Sequence, residues 1–474
     1  MKPAEVVGVK HQDATGADAR PSTDCQQGSF QFQALGGRQV VADFTGGQLS
    51  SDGGVLLLRE LDRSLGLTRQ VAACFQDRRN PDLITHTVSE LVAQRIFGLA
   101  MGYEDLNDHQ TLRHDPLLAA AAGKLQTDEA LASAPTLNRL EITADRPASR
   151  YHKITPEPAR LEALLLQLGV RTLRRRQREV ILDFDATHDP LHGRQEGTFF
   201  HGYYDCHCYL PLYAFIGDAL VWAQLRTADR DASDGTVAAL EKIIPAIRRR
   251  CPKARIVLRG DSGFCREAIL AWCEAHGVDY VIGLARNERL LAKLAPALVR
   301  AREQAVLVGG PARVFAEFSY RTLGTWSRQR RVIGKAERLG DKDNPRFIVT
   351  SLSRRGEELY EKVYCARGEM ENRIKEQQGD LFGERLSSHG FAANQLRLWL
   401  SAFAYVLMER LRAVALKGTA LAQATAGTIR LRLCKLAARV EVSVRRLRVR
   451  LAESAPVQAL FAHAWRRLCP APPG

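Results

Sequence analysis

Ile181-Leu182-Asp183-Phe184-Asp185-Ala186-Thr187 is an apolar run broken twice by an acid. In an extended strand alternate side chains face opposite sides, so Val180, Leu182, Phe184 and Ala186 belong to one layer and Ile181, Asp183, Asp185 and Thr187 to the other. Carboxylates on a mostly buried strand are costly unless they pair with a cation or hold a metal, and both readings stay open for this pair. A second apolar run, Ile256-Val257-Leu258-Arg259-Gly260-Asp261, ends on an acid and continues into Ser262-Gly263-Phe264. That places Asp261 at the carboxyl end of a central strand, where open α/β sheets build their sites, or at the N-cap of a following helix. Downstream, Tyr364, Arg367, Glu371 and Gln378 recur at helical spacing and line one face. The plain alternative for that stripe is a solvated face with an Arg367–Glu371 pair.

Around these runs the chain divides by pattern. Residues 1–30 are polar and aperiodic, the composition of a mobile tail. Between Gly53 and Glu141, Leu57, Leu58, Leu61, Leu65, Val88, Leu91, Val92, Ile96 and Leu99 recur at three- and four-residue steps, which predicts helices, so 31–158 reads as an N-terminal helical unit ending in a linker over Asp145–Pro158. Residues 159–284 alternate helical and strand patterns, including a helix that ends in the arginine-rich segment Arg171 to Arg178, and predict a mixed sheet with helical cover. Short alternating pieces over 285–353 predict a β-rich insertion, and 354–415 holds two long helices, the first bearing Glu371. In the final segment, 416–474, apolar residues and arginines alternate, so Arg430 with Arg432, and Arg446, Arg448 with Arg450, are expected as ladders on strand faces.

The chain of 474 residues carries 68 Lys+Arg against 53 Asp+Glu, a net +15. Residues 391–474 contain 14 basic and 3 acidic side chains, so +11 of that excess lies at one end. A polyanionic partner is expected, and uncompensated arginine ladders suit phosphates. Three carboxylates in such a chain suggest metal-assisted phosphoryl transfer on nucleic acid. The ten cysteines show no CxxC pair, and no apolar run approaches a bilayer span, so a soluble cytoplasmic protein with reduced thiols is expected. A zinc site from His201, Cys206, His207 and Cys208 matches no familiar spacing, and strand alternation explains these residues more simply.

Asp185-Ala-Thr187, Arg259-Gly-Asp-Ser-Gly-Phe264 and Tyr364-x2-Arg367-x3-Glu371 resemble the DDE transposases of bacterial insertion sequences, in the branch with a β-strand insertion between the second Asp and the Glu. Gly197-Thr-Phe-Phe-His-Gly-Tyr-Tyr204, Val278 to Arg286 and Phe391 to Arg397 look like the group called insertion sequence family 1380, and the similarity runs from about Leu49 onward. The resemblance implies an α/β fold with a ribonuclease H-like core. In it Asp185, Asp261 and Glu371 hold two Mg²⁺, with Mn²⁺ as a substitute, while Asp183 rivals the first position and Glu369 the third. Tyr364 and Arg367 would hold phosphates beside the transposon end. The family's lysine is replaced by Gln378, and Lys375 or Arg373 would have to supply the cation.

The same resemblance implies end cleavage followed by strand transfer, acting as a dimer on terminal inverted repeats and target DNA. Relatives in this branch release flanking DNA through a hairpin intermediate, for which Trp326 would stack on a flipped base. The N-terminal helices would read the repeats. The alternative is a catalytically inactive, sequence-specific DNA-binding protein derived from a transposase, which the missing lysine favours.

Overall fold

Val180, Leu182 and Phe184 are fully buried, as alternation requires, because the strand that carries them, β1 (Glu179–Ala186), lies inside a large sheet. The computed structural model describes residues 29–124, 129–142 and 152–469. The sheet continues through β2 (Leu212–Ile216), β3 (Ala219–Gln224), β4 (Arg255–Gly260), β5 (Asp279–Leu284), β6 (Ala312–Tyr320), β7 (Arg330–Leu339) and β8 (Arg346–Thr350), with Lys342–Asp343 paired to β7. Spatial order is β3-β2-β1-β4-β5-β8-β7-β6. Strands β1, β4 and β5 are parallel, whereas every other neighbouring pair is antiparallel. The fold is therefore mixed α/β. The strands expected as an insertion extend this same sheet through the β5–β8 pairing.

One difference lies within 285–353, where α6 (Glu288–Val308) occupies residues expected to be β-rich. Leu290, Leu294, Ala297 and Ala301 are buried at three- and four-residue steps, the Asn287 side chain caps the first turn, and Gly309 closes the helix at φ +67°. That periodicity was present in the sequence and outweighs the short alternating pieces around it.

Helices α1 (Val55–Leu65) and α2 (Val88–Met101) lie within the stretch whose periodicity predicts helices. Their Val55, Leu58, Phe97 and Leu99 share one core with Phe403 and Leu407 of α8 (Phe391–Arg410), and with Ile429, Leu433 and Val440. These helices do not pack as a body of their own, and residues 49–474 form one compact unit. Helix α3 (Pro158–Arg171) joins the two layers, since Leu161 and Leu165 enter that core while Leu166 and Val170 enter the core under the sheet with α4 (Thr236–Arg250) and α5 (Glu267–Ala275). The separate unit, residues 1–48, carries an antiparallel hairpin, Phe30–Leu35 with Arg38–Ala42, where helix was expected. Of the expected tail 1–30, residues 1–28 lie outside the described residues, as does 143–151 of the expected linker.

The basic end is half as predicted. Ala438–Ser443 and Arg446–Leu451 form an antiparallel hairpin, with Arg446, Arg448 and Arg450 exposed along one strand. The ladder at 428–434 is instead helical, over Ala426–Ile429 and on through Cys434. Ile429, Leu433 and Cys434 face the core at helical spacing, and a strand would have split them between two faces. No described helix is long and apolar enough to cross a membrane.

Candidate active site

The parallel β1–β4 pairing sets Asp183 opposite Arg259, and continuing that register by two residues brings Asp185 level with Asp261. The acids of the first strand thereby reach different surroundings. Asp183 is 2% exposed and takes Arg259 on both oxygens, Nη2 to Oδ2 at 2.7 Å and Nε to Oδ1. Arg259 also donates through Nη1 to the Val363 carbonyl at 2.5 Å, which ties the strand to the helical run over 356–380. Asp183 is thus spent on an internal ion pair.

Asp185 stands at the open end of β1. Its Oδ1 accepts from the Ala186 amide at 3.0 Å and its Oδ2 from Arg367 Nη1 at 2.9 Å. The other Nη of Arg367 donates to Glu371 Oε1. One guanidinium therefore bridges two carboxylates that lie 186 residues apart in sequence. Burial first, and then the charges of Asp261 and Glu371, raise the Asp185 carboxyl to about 7 against the pull of Arg367. Asp261 turns its Oδ1 to the Gly263 amide at 2.9 Å, which caps the short turn Ser262–Phe264, so the cap role exists beside any other.

The Glu371 stripe holds because its opposite face is apolar. Leu359, Tyr360, Val363, Met370 and Ile374 are buried, leaving Tyr364, Arg367 and Glu371 toward the strand ends. The run is α-helical over α7 (Gly368–Lys375), with a π-turn at Leu359–Tyr364 and another at Glu376–Asp380. The Tyr364 hydroxyl lies where a Cβ on Gly283 would be, 2.6 Å from it, so only glycine admits the ring beside the Ser262 amide. Burial raises the Tyr364 hydroxyl pKa, with Asp261 adding to the rise.

Gln378 lies across the stretch that follows β1. Its Nε2 donates to Asp189 Oδ1 at 2.5 Å and to the His188 carbonyl at 3.3 Å, while Thr187 Oγ1 lies 3.5 Å from its Oε1. Asp189 is fully buried, and burial raises its carboxyl to about 7 even with the Gln378 bond. The His188 ring stacks on Tyr204 at 4.1 Å, and the Tyr204 hydroxyl is raised to about 12 by burial and then by the charge of Asp185. His188, Asp189 and Tyr204 were not anticipated. Asp189 follows the Asp-x-Thr run by two residues, which was the available signal.

Several expected residues lie elsewhere. Trp326 is 3% exposed, packs edge-on against Tyr320 and receives Arg330 over its ring, so its face is closed to a base. Arg430 sits over Phe382 and gives its donors to the carbonyls of Ala100 and Asp380, which makes it part of the core's polar lining. Lys375 is exposed on a groove with Asp218 and Glu369, and Arg373 pairs with Asp218 and Glu376, so neither touches the Asp185–Arg367–Glu371 bridge. The Cys208 thiol is raised to about 12 by burial, and no group of three His, Cys, Asp or Glu that could hold a metal forms here among the described residues. All nine described cysteines are unpaired.

Among the described residues no three His, Cys, Asp or Glu side chains converge closely enough to enclose an ion. Asp185 and Glu371 share Arg367, and the charge of Asp261 is felt at Asp185; carboxylate oxygens are the donor type that suits a hard divalent cation. A comparison with curated proteins finds no match. A family model described as Transposase DDE domain group 1 matches residues 32–473.

Proposed function

This chain belongs to the transposase DDE domain family, whose work is DNA transposition and recombination by a metal-dependent DNA-cleaving enzyme, and from that premise we propose how its residues do it. Asp185, Asp261 and Glu371 are the carboxylates of the family's name. They would hold two Mg²⁺, or Mn²⁺ in their place, and when bound these ions activate the attacking oxygen and stabilise the leaving 3′ oxygen of an in-line displacement. Arg367 positions the two outer carboxylates in the resting protein and offers its forked donors to a phosphate oxygen of the cut strand. Tyr364 closes the floor of the site beside Asp261. Gln378 takes the place of the expected lysine as a neutral strut under Thr187, His188 and Asp189.

The reaction proposed is cleavage at insertion-sequence ends followed by strand transfer into target DNA, with the protein dimeric on DNA. Arg446, Arg448 and Arg450 would carry phosphate contacts from the exposed hairpin. A ribonuclease H-like core is supported by the strand order, in which β1 lies between two antiparallel successors on one side and the parallel β4 and β5 on the other. Membership of the group called insertion sequence family 1380 rests on the sequence likeness alone.

The observation that carries this reading is the Arg367 bridge, because it gathers Asp185 and Glu371 beside Asp261 from distant parts of the chain. The test is incubation of purified protein with a labelled inverted-repeat end and an unlabelled target, with and without Mg²⁺ or Mn²⁺. Nicks at the repeat boundary and joined products, both dependent on the ion, are expected. Specific binding without cutting under any ion would replace this reading with the inactive DNA-binding protein.

A further inference from the structure

Two arginine-rich segments that lie far apart in sequence meet at the end of the sheet away from the carboxylates. The first, 171–178, leads from α3 into β1, and the second, 248–255, leads from the last turn of α4 into β4. Together they hold ten basic residues and no acidic one. Hydrogen bonds lock them side by side: Arg250 Nε donates to the Leu173 carbonyl at 2.9 Å, Cys251 Sγ to the Arg174 carbonyl at 3.1 Å and the Arg255 amide to the Arg178 carbonyl at 2.9 Å. Leu173 and Cys251 are buried between them, so the patch is built on a fixed base.

Cations at helix C-termini serve the helix dipole, which accounts for Arg171 and for Arg248 to Arg250. It does not account for Arg174, Arg175, Arg176, Arg178 and Lys253, which lie beyond the helices and are exposed. Within the patch, among the described residues, only Arg255 has a carboxylate partner, Asp279 at 3.5 Å. A cluster of this density repels itself unless an anion is present, and a dense patch of guanidinium groups suits the phosphates of a nucleic-acid backbone.

We propose that this patch is a second DNA-binding surface, which grips the phosphate backbone of duplex DNA away from the strand being cut. The inference rests on the transposase reading for the nature of its partner, but not on the carboxylates. From Arg178 to Asp185 is seven residues along β1, about 23 Å at ~3.3 Å per residue, so the patch and the carboxylates lie toward opposite ends of the strand. The patch therefore engages either a continuation of the DNA seated at the carboxylates or a second duplex, and in either case contributes affinity without sequence preference.

The test uses the full chain and a fluorescent random-sequence duplex of about 30 base pairs without divalent ions, with anisotropy followed against salt. For the combined substitution Arg174→Ala, Arg175→Ala, Arg176→Ala, affinity at ~0.1 M salt is expected to fall at least tenfold, and the slope of log affinity against log salt to shrink by about 2 to 3. The corresponding triple lysine variant keeps most of the slope. If the triple alanine chain does not fold, Arg249→Ala with Lys253→Ala provides the same reading, with a slope loss of about 1 to 2. A folded variant with wild-type affinity and slope overturns the proposal, as does a loss confined to single-stranded RNA of equal length. Because no cleavage is needed, a chain that never cuts an end but loses duplex affinity on these substitutions would sink the catalytic reading and leave this one standing.

Discussion

Asp183 and Asp185 are two residues apart on one face of one strand, yet they meet opposite fates. Asp183 is enclosed with Arg259 on both its oxygens and belongs to the frame. Asp185, at the strand's open end, shares Arg367 with Glu371 and feels Asp261. Each acid has one arginine, so the presence of a cation does not separate them. What separates them is whether that arginine is shared. A bidentate pair is electrically closed, whereas two carboxylates on one guanidinium, with Asp261 acting on Asp185, leave a negative surplus, which is why the proposed ion is assigned to Asp185 and not to Asp183.

The comparison breaks most readily at Arg259. Arg259→Ala leaves a buried carboxylate without a partner and is expected to cost about 3–5 kcal/mol in urea denaturation, because the desolvation of Asp183 is no longer offset. Unchanged stability would mean that Asp183 is not a structural acid. Arg367→Ala should show the reverse balance, with stability close to wild type and the end-cleavage rate down about a hundredfold, or ~2.7 kcal/mol at the barrier.

The pH dependence sharpens the same contrast. The Asp185 carboxyl is raised from 3.8 to about 7, so between those values the folded chain holds a proton that the unfolded chain has released. The resulting stabilisation is complete below the unfolded pKa and is lost as pH rises through about 7. In the absence of divalent ions, Asp185→Asn should therefore gain in melting temperature relative to wild type as pH rises from about 4 to 8. A constant difference would show that Asp185 titrates normally. The smallest effect separates two kinds of arginine. Arg446→Ala, Arg448→Ala and Arg450→Ala together should lower the salt slope of DNA binding by about 1 to 3 with little loss of stability, whereas Arg430→Ala should lower stability and leave the slope unchanged.

Much of this site was legible in the sequence because it follows from short-range rules. Strand alternation put Asp183 and Asp185 on one face, the position of Asp261 at a strand end placed it near them, and helical spacing grouped Tyr364, Arg367 and Glu371. The choice between Asp183 and Asp185 was not legible, since it depends on which strand neighbours β1 and in what register. The same holds for Gln378, whose partners Thr187, His188 and Asp189 are about 190 residues away. Trp326 and Arg430 were misread for a related reason: a lone aromatic or an arginine in an alternating run looks available until the core that encloses it is known. The arginine-rich segment at 171–178 was visible from the start, but its second half at 248–255 joins it only through the parallel pairing of β1 with β4.

The most direct measurement is end cleavage in Mg²⁺ and in Mn²⁺ by folded Asp183→Asn and Asp185→Asn proteins, side by side with wild type. The account predicts that Asp185→Asn loses at least a thousandfold in rate with both ions while binding the end normally, and that Asp183→Asn, with its melting temperature reduced, cuts within about tenfold of wild type. Cutting that survives Asp185→Asn but not Asp183→Asn would contradict it.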